Sequence, residues 1–166
     1  LVIPIYPSNG SEPAGPFQLA TYTVGEDGSL STASTPENMP KVSVGDLTDL
    51  AISPAGNLMA VAGNKGLEVF RVQGGSPLST LPGVLVRQEI DQMFWDRDGH
   101  LFAISQSAGK LWVFNVDQDG WTPAPGSPYA VSGAQNIAVQ PVRSHSNNEL
   151  LRSAERADSP HPDPAS

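Results

Sequence analysis

The chain has 166 residues, 39% of them hydrophobic and 16% charged, which is enough apolar material for one packed domain and argues against wholesale disorder. A net charge of −8, with nine Lys and Arg in all, argues against a nucleic-acid partner, because neutralising phosphates takes clustered cations and these are scattered. Cysteine is absent, so disulfides, thiolate nucleophiles and Cys-ligated zinc are excluded together.

The first residues, LVIPIYP, read as a strand end. They carry no basic n-region and are broken by Pro4 and Pro7, unlike a signal peptide. Leu1 in place of Met suggests a processed or partial chain, and its localisation, cytoplasmic or extracytoplasmic, stays open. No apolar run approaches the length of a membrane span. After the Ser8-Asn9-Gly10 turn cluster and a Pro/Gly-rich loop to Pro16, FQLATYTV from Phe17 to Val24 matches the third strand of the two later units, Leu19 with Leu67 and Leu111 and Tyr22 with Phe70 and Phe114, and is followed by GEDGSLS. The polar segment from Ser31 to Val44 ends in KVSV, expected as a short outer strand.

From Leu47 to Val72 the order is strand, SPAGN turn, strand, short loop, strand. Glu89 to Val116 has the same order, with its turn at Asp96 to His100 and its loop at Ser107 to Lys110. Gly56 and Gly99 stand 43 residues apart, Phe70 and Phe114 44, and the difference is assigned to Lys110 as a loop insertion. DQDGWTP after the later unit matches GEDGSLS, so Asp27-Gly28 and Asp119-Gly120 are expected to be one turn seen twice. AQNIAVQP from Ala134 to Pro141 reads as a third start. In the third strand Leu111 and Val113 point one way and Trp112, Phe114 and Val116 the other, so these sheets are expected to be covered on both faces. Beyond Pro141 the pattern stops, and residues 144–166 read as a disordered C-terminal tail.

Short strands in groups, repeated at 40 to 50 residues with two-sided burial, predict an all-β chain. The expected architecture is a β-propeller over residues 1–143, with complete repeats at about 47–89 and 90–133. A β-sandwich explains the strands equally but not the period. About three blades fit, and a ring needs about four to eight, so the remaining blades are expected from a longer polypeptide or from partner chains.

The sequence resembles the lactonase-like seven-bladed propellers, the group of 6-phosphogluconolactonase and related cell-surface repeat proteins. The resemblance rests on SPAGN at Ser53 to Asn57, VFRV and VFNV in the third strands, DQDG at Asp117 to Gly120 and TPAPGSPY at Thr122 to Tyr129. It is not to the tryptophan-aspartate repeats, since Trp95-Asp96 closes a first strand rather than a third. The resemblance implies that ligands sit at a channel mouth built from Gly45–Asp49, Arg87–Asp91 and Ser132–Asn136, with Asn64–Gly66 and Gln106–Lys110 alongside. Asp49, Arg87, Glu89, Asp91, Gln135 and Asn136 are its candidate ligand-facing residues. An Arg between carboxylates suits a sugar phosphate or an acid and leaves a carboxylate as base; the same residues also read as solvated loop positions. Where members of the group place His-Pro, this chain has Ser53-Pro54 and Asp96-Arg97, so no catalytic residue transfers.

Elsewhere the bland readings prevail. His100, Asp96 and Asp98 read as turn residues, and no histidine pair has metal-ligand spacing. Gly74-Gly75 does not join a strand to a helix, so no phosphate loop or cofactor is implied. Trp95 and Trp112 are expected to fill space between sheets, with Trp121, beside a turn, more exposed and the better candidate for a stacking platform. The function expected is a non-catalytic module binding a protein partner or a small carbohydrate-type ligand. Hydrolysis of a sugar lactone such as 6-phosphogluconolactone is the enzymatic alternative, and a truncated product with no function of its own is a third.

Overall fold

A computed structural model describes residues 1–7, 15–74 and 77–138. The expected tail at 144–166, the Ser8-Asn9-Gly10 cluster and the end of AQNIAVQP lie outside the described residues. Strands β1 (Val2–Ile5) and β2 (Gln18–Thr21) pair antiparallel, Val2 opposite Thr21 and Ile5 opposite Gln18. Gln18 also bridges Lys41, which sets KVSV at the outer edge of this first sheet. β3 (Thr23–Val24) and β4 (Leu30–Ser31) form a separate small hairpin.

The second sheet is a meander of β5 (Leu47–Ile52), β6 (Leu58–Gly63), β7 (Gly66–Arg71) and β8 (Ser79–Thr80). The third repeats that order with β9 (Gln92–Trp95), β10 (His100–Ser105), β11 (Lys110–Val116) and β12 (Trp121–Pro123), and β13 (Tyr129–Ala130) also pairs with β11. Val86 bridges Leu67 beyond β8 much as Tyr129 pairs with Leu111 beyond β12. Gly66 permits that approach, since a Cβ there would overlap the Val86 carbonyl oxygen.

The three sheets stack face to face. Met59, Val61 and Phe70 of the second sheet pack on Leu19, Val42 and Val44 of the first. From its other face Leu58, Ala60, Ala62, Leu67 and Val69 pack on Ile90, Met93, Trp95, Leu101, Ala103, Phe114 and Val116 of the third. All of β6 is therefore buried, which is why LMAVAG is apolar without alternation. Phe70 and Phe114, 0% and 2% exposed, both face the preceding sheet. The all-β class is as expected, and no closed ring is seen among the described residues.

Two details differ from the sequence expectation. Met59 stands opposite Ile52, but Leu101 stands opposite Trp95, so the first hairpin of the third sheet is one residue shorter. Its second hairpin is two residues longer, with Gln106–Gly109 in place of Asn64-Lys65. Lys110 is thus no insertion; it opens β11 opposite Ser105. Aligning turn glycines hides these compensating changes, and a one-residue shift swaps faces: Leu58 faces the third sheet, while Leu101 faces the second. Likewise Gly25 closes its turn on the Ser29 carbonyl, whereas Asp117 closes on that of Gly120, so Asp27-Gly28 and Asp119-Gly120 share letters and not geometry.

Candidate functional site

The strands β5 and β9 lie side by side without pairing, and side chains join them. Asp49 Oδ2 accepts the Met93 backbone N–H at 2.8 Å, while Oδ1 accepts that of Leu50 at 2.8 Å. The Thr48 hydroxyl donates to the Ile90 carbonyl, and the Trp95 indole donates to that of Ala51 at 3.2 Å. The next joint has the same form: Gln92 Oε1 accepts the Ile137 N–H at 3.3 Å, and Asn136 Oδ1 accepts it at 3.1 Å. Asp49, Gln92 and Asn136 therefore occupy corresponding places on three successive segments.

At one end of these segments their entering loops bond to the adjacent hairpin loops. In the second sheet Asn64 Oδ1 accepts the Asp46 N–H at 3.1 Å, and Asn64 Nδ2 donates to Asp46 Oδ2 at 2.9 Å. In the third, Asp91 Oδ2 accepts the Gln106 N–H at 2.7 Å, and Gln106 Nε2 donates to the Gln135 carbonyl at 3.4 Å. Asp91, Gln106, Gln135 and, next in sequence, Asn136 thus form one polar rim. Glu89 is half-buried beside Ile90. Arg87 is exposed and follows Val86 at the outer edge, where it lines a cavity of about 260 Å³ with Glu68, Thr80 and Pro82. No hydrogen bond among the described residues joins it to the rim.

Gln92 and Gln106 were not singled out from sequence. Gln92 stands 43 residues after Asp49, the spacing of the turn glycines, and that signal was sufficient to find it. Near the rim, Tyr6, Phe17, Val42, Asp46 and Lys65 line a cleft of about 330 Å³, with the two aromatic centroids 3.6 Å apart.

Larger clefts lie among the hairpin turns at the other end of the sheets. One of about 480 Å³ is lined by Asp98, Asn115, Asp117, Asp119 and Trp121, and an adjoining one of about 470 Å³ runs past Asn57, Trp95 and Arg97. Local turn bonding accounts for much of this acidity. Asp117 Oδ1 accepts the N–H groups of Asp119 and Gly120 at 2.8 and 2.9 Å. Asp96 Oδ1 accepts those of Asp98 and His100 at 2.9 Å each, and Oδ2 lies 2.6 Å from His100 Nδ1. Partial burial opposes the Asp96 charge, but these bonds and the His100 ring outweigh it and hold the carboxyl below its ordinary value. Asp96, Asp98 and His100 place potential ligand atoms within 4.8 Å of one another, a closeness the turn itself produces.

Trp95 fills space between sheets as expected, at 5% exposure, and Trp112 packs partly against the same core with Lys110 over its ring. Trp121 is half-buried, more exposed than Trp95. Its ring meets Phe114 edge-on at 5.5 Å, and its indole donates to the Pro82 carbonyl at 3.0 Å, so it ties the third sheet to the β8 side of the second.

No known protein family and no curated protein matches the chain. Among solved structures it is similar to a functionally unknown protein from Desulfotomaculum acetoxidans, at 16% identity and a TM-score of 0.52 over 64% of this chain. It is also similar to a provisionally named 6-phosphogluconolactonase from Bacteroides fragilis, at 15% identity and 0.55 over 69% of this chain. These likenesses concern the fold. The chain spans about a third of the length of each, 33% in both cases.

Proposed function

We propose that the chain is a non-catalytic, propeller-type binding module whose ligand surface is the rim of Asp91, Gln106, Gln135 and Asn136, with Glu89 and Asp49 behind it. The observation that carries this reading is the hydrogen-bonded line from Asp91 through Gln106 to the Gln135 carbonyl, which holds the Asp91 carboxylate and the Gln106 carboxamide together in the loops beside the strands. Such groups suit the hydroxyls of a neutral carbohydrate-type ligand, each of which both donates and accepts. A sugar phosphate or acid needs a cation, and Arg87 is directed to the Glu68 cavity instead.

The likeness to the Bacteroides fragilis protein supports a second reading, hydrolysis of a sugar lactone. It is disfavoured by the position of the histidine: His100, the histidine among the described residues, is tied to Asp96 among the hairpin turns, away from the rim. Calorimetric titration with glucose, galactose and 6-phosphogluconate is expected to show saturable binding of a neutral sugar, weakened by Asp91→Ala. Acid release from 6-phosphogluconolactone is expected to run at the spontaneous rate. Binding of none of the sugars, or accelerated lactone opening lost in Asp91→Asn, would overturn the reading.

A further inference from the structure

Glu68 puts an acidic side chain on β7 at a place where the repeat carries an aromatic ring. Counting back two residues from the matched Phe70 and Phe114, its counterpart in the third sheet is Trp112, which packs against the core. Glu68 is only 9% exposed. Its Oε2 accepts the Ser43 N–H at 2.9 Å, and Oε1 accepts no hydrogen bond among the described residues. Oε1 is nonetheless not sealed in, since no side-chain oxygen among those residues is both buried and unbonded. The open space beside Glu68 is the cavity of about 260 Å³ that it lines with Thr80, Pro82, Val84 and Arg87. A bulge builds that cavity. Leu67 and Val69 stand two residues apart on β7, but the N–H groups bonded to their carbonyls, those of Leu85 and Leu81, stand four apart, so the outer segment bows away opposite Glu68. The Trp121 indole, donating to the Pro82 carbonyl, anchors the bow.

We propose that this cavity is a second ligand site that takes a small amino acid, its ammonium group on Glu68 Oε1 and its carboxylate on Arg87. A recessed carboxylate short of hydrogen bonds is stabilised by gaining a cation with N–H groups to donate. Arg87 is exposed and makes no hydrogen bond or ion pair among the described residues, which leaves its guanidinium fork free for an anion. Both side chains line the cavity, yet no ion pair joins them. A ligand that satisfies both therefore carries a cation and an anion of its own. A simple amine would leave Arg87 unused, and a sugar phosphate would set its charge against that of Glu68. The site shares no residue with the rim of Asp91, Gln106, Gln135 and Asn136, so the two readings stand or fall separately.

Calorimetric titration of the full chain with glycine, β-alanine and γ-aminobutyrate tests this, with ethylammonium and acetate as single-charge controls. At least one amino acid is expected to bind saturably, about tenfold or more tighter than either control. Glu68→Gln keeps an oxygen for the Ser43 N–H and Arg87→Ala alters an exposed position, so both should fold, which melting checks. Each should weaken the amino acid about tenfold or more, the loss of one charge-assisted hydrogen bond. Amide shifts of the wild-type chain should fall at Thr80, Gly83 and Arg87, which decides the location even if Glu68→Gln fails to fold. Saturable binding of none of the amino acids, equal binding of ethylammonium or acetate, an affinity that neither variant moves, or shifts confined to the rim would each overturn the inference.

Discussion

The Asp49 carboxylate bridges two strands that share no ladder: one oxygen accepts the Leu50 N–H of its own strand and the other the Met93 N–H of the next sheet, each at 2.8 Å. Removing it leaves the Met93 N–H, on a buried residue, without that acceptor, while the Leu50 N–H belongs to an exposed one. Asp49→Ala should therefore cost about 1–3 kcal/mol, read as a lower urea midpoint at constant slope. Amide exchange at Met93 should speed up in the same variant. An unchanged midpoint would mean that apolar packing alone holds the sheets together.

Phe70 and Phe114 fill the two successive intersheet layers from the same side. Phe70→Ala and Phe114→Ala should each cost about 3–5 kcal/mol, the usual range for deleting an enclosed aromatic ring. Phe94→Ala, at a position 38% exposed, should cost far less. Equilibrium unfolding of the three variants provides the comparison, and a large loss at Phe94 would show that its face is already covered.

Trp121→Phe keeps most of the edge-on contact with Phe114 but removes the indole donor to the Pro82 carbonyl. The expected loss is about 0.5–1.5 kcal/mol, that of a single hydrogen bond. Trp121→Ala, which removes the ring contact as well, should lose more. Equal losses in thermal unfolding would assign the whole effect to packing.

Asp96 supplies a pH signature. Its folded carboxyl titrates below the ordinary 3.8, so the unfolded state binds the proton first as the pH falls. The stability it contributes is fully present above the unfolded value and disappears as the pH drops through the lower folded one. In the acid range the melting-temperature difference between wild type and Asp96→Asn should shrink as the pH falls from about 5 through the lowered folded value. A difference that grows as the pH falls through the acid range would contradict the assignment.

Strand order and the two-sided burial of the second sheet were legible because they depend on runs of apolar residues: LMAVAG could not face water on either side. Register was less legible. The one-residue shortening at the Asp96 turn and the two-residue lengthening at Gln106–Gly109 nearly cancel in the spacing, so letters aligned on Gly56 and Gly99 assign Leu101 to the wrong face. Asp91, Gln135 and Asn136 were named from their place in loops entering the inner strands, and Asp91 and Gln135 are linked through Gln106. Gln106 was passed over singly because a glutamine in a polar loop has no signature until its partners are known. Arg87 was grouped with the rim as part of the Arg87–Asp91 loop entering an inner strand; Val86 bridges Leu67 at the outer edge, and Arg87 follows it there.

The location of the ligand surface is the claim on which the functional account turns, and backbone NMR of the uniformly labelled chain titrated with a neutral monosaccharide tests it most directly. The account predicts saturable shifts at Asp91, Gln106, Gln135 and Asn136, weakened by Gln106→Ala. Shifts centred on Asp98, Asp117 and Trp121, in the larger cleft among the hairpin turns, would contradict it.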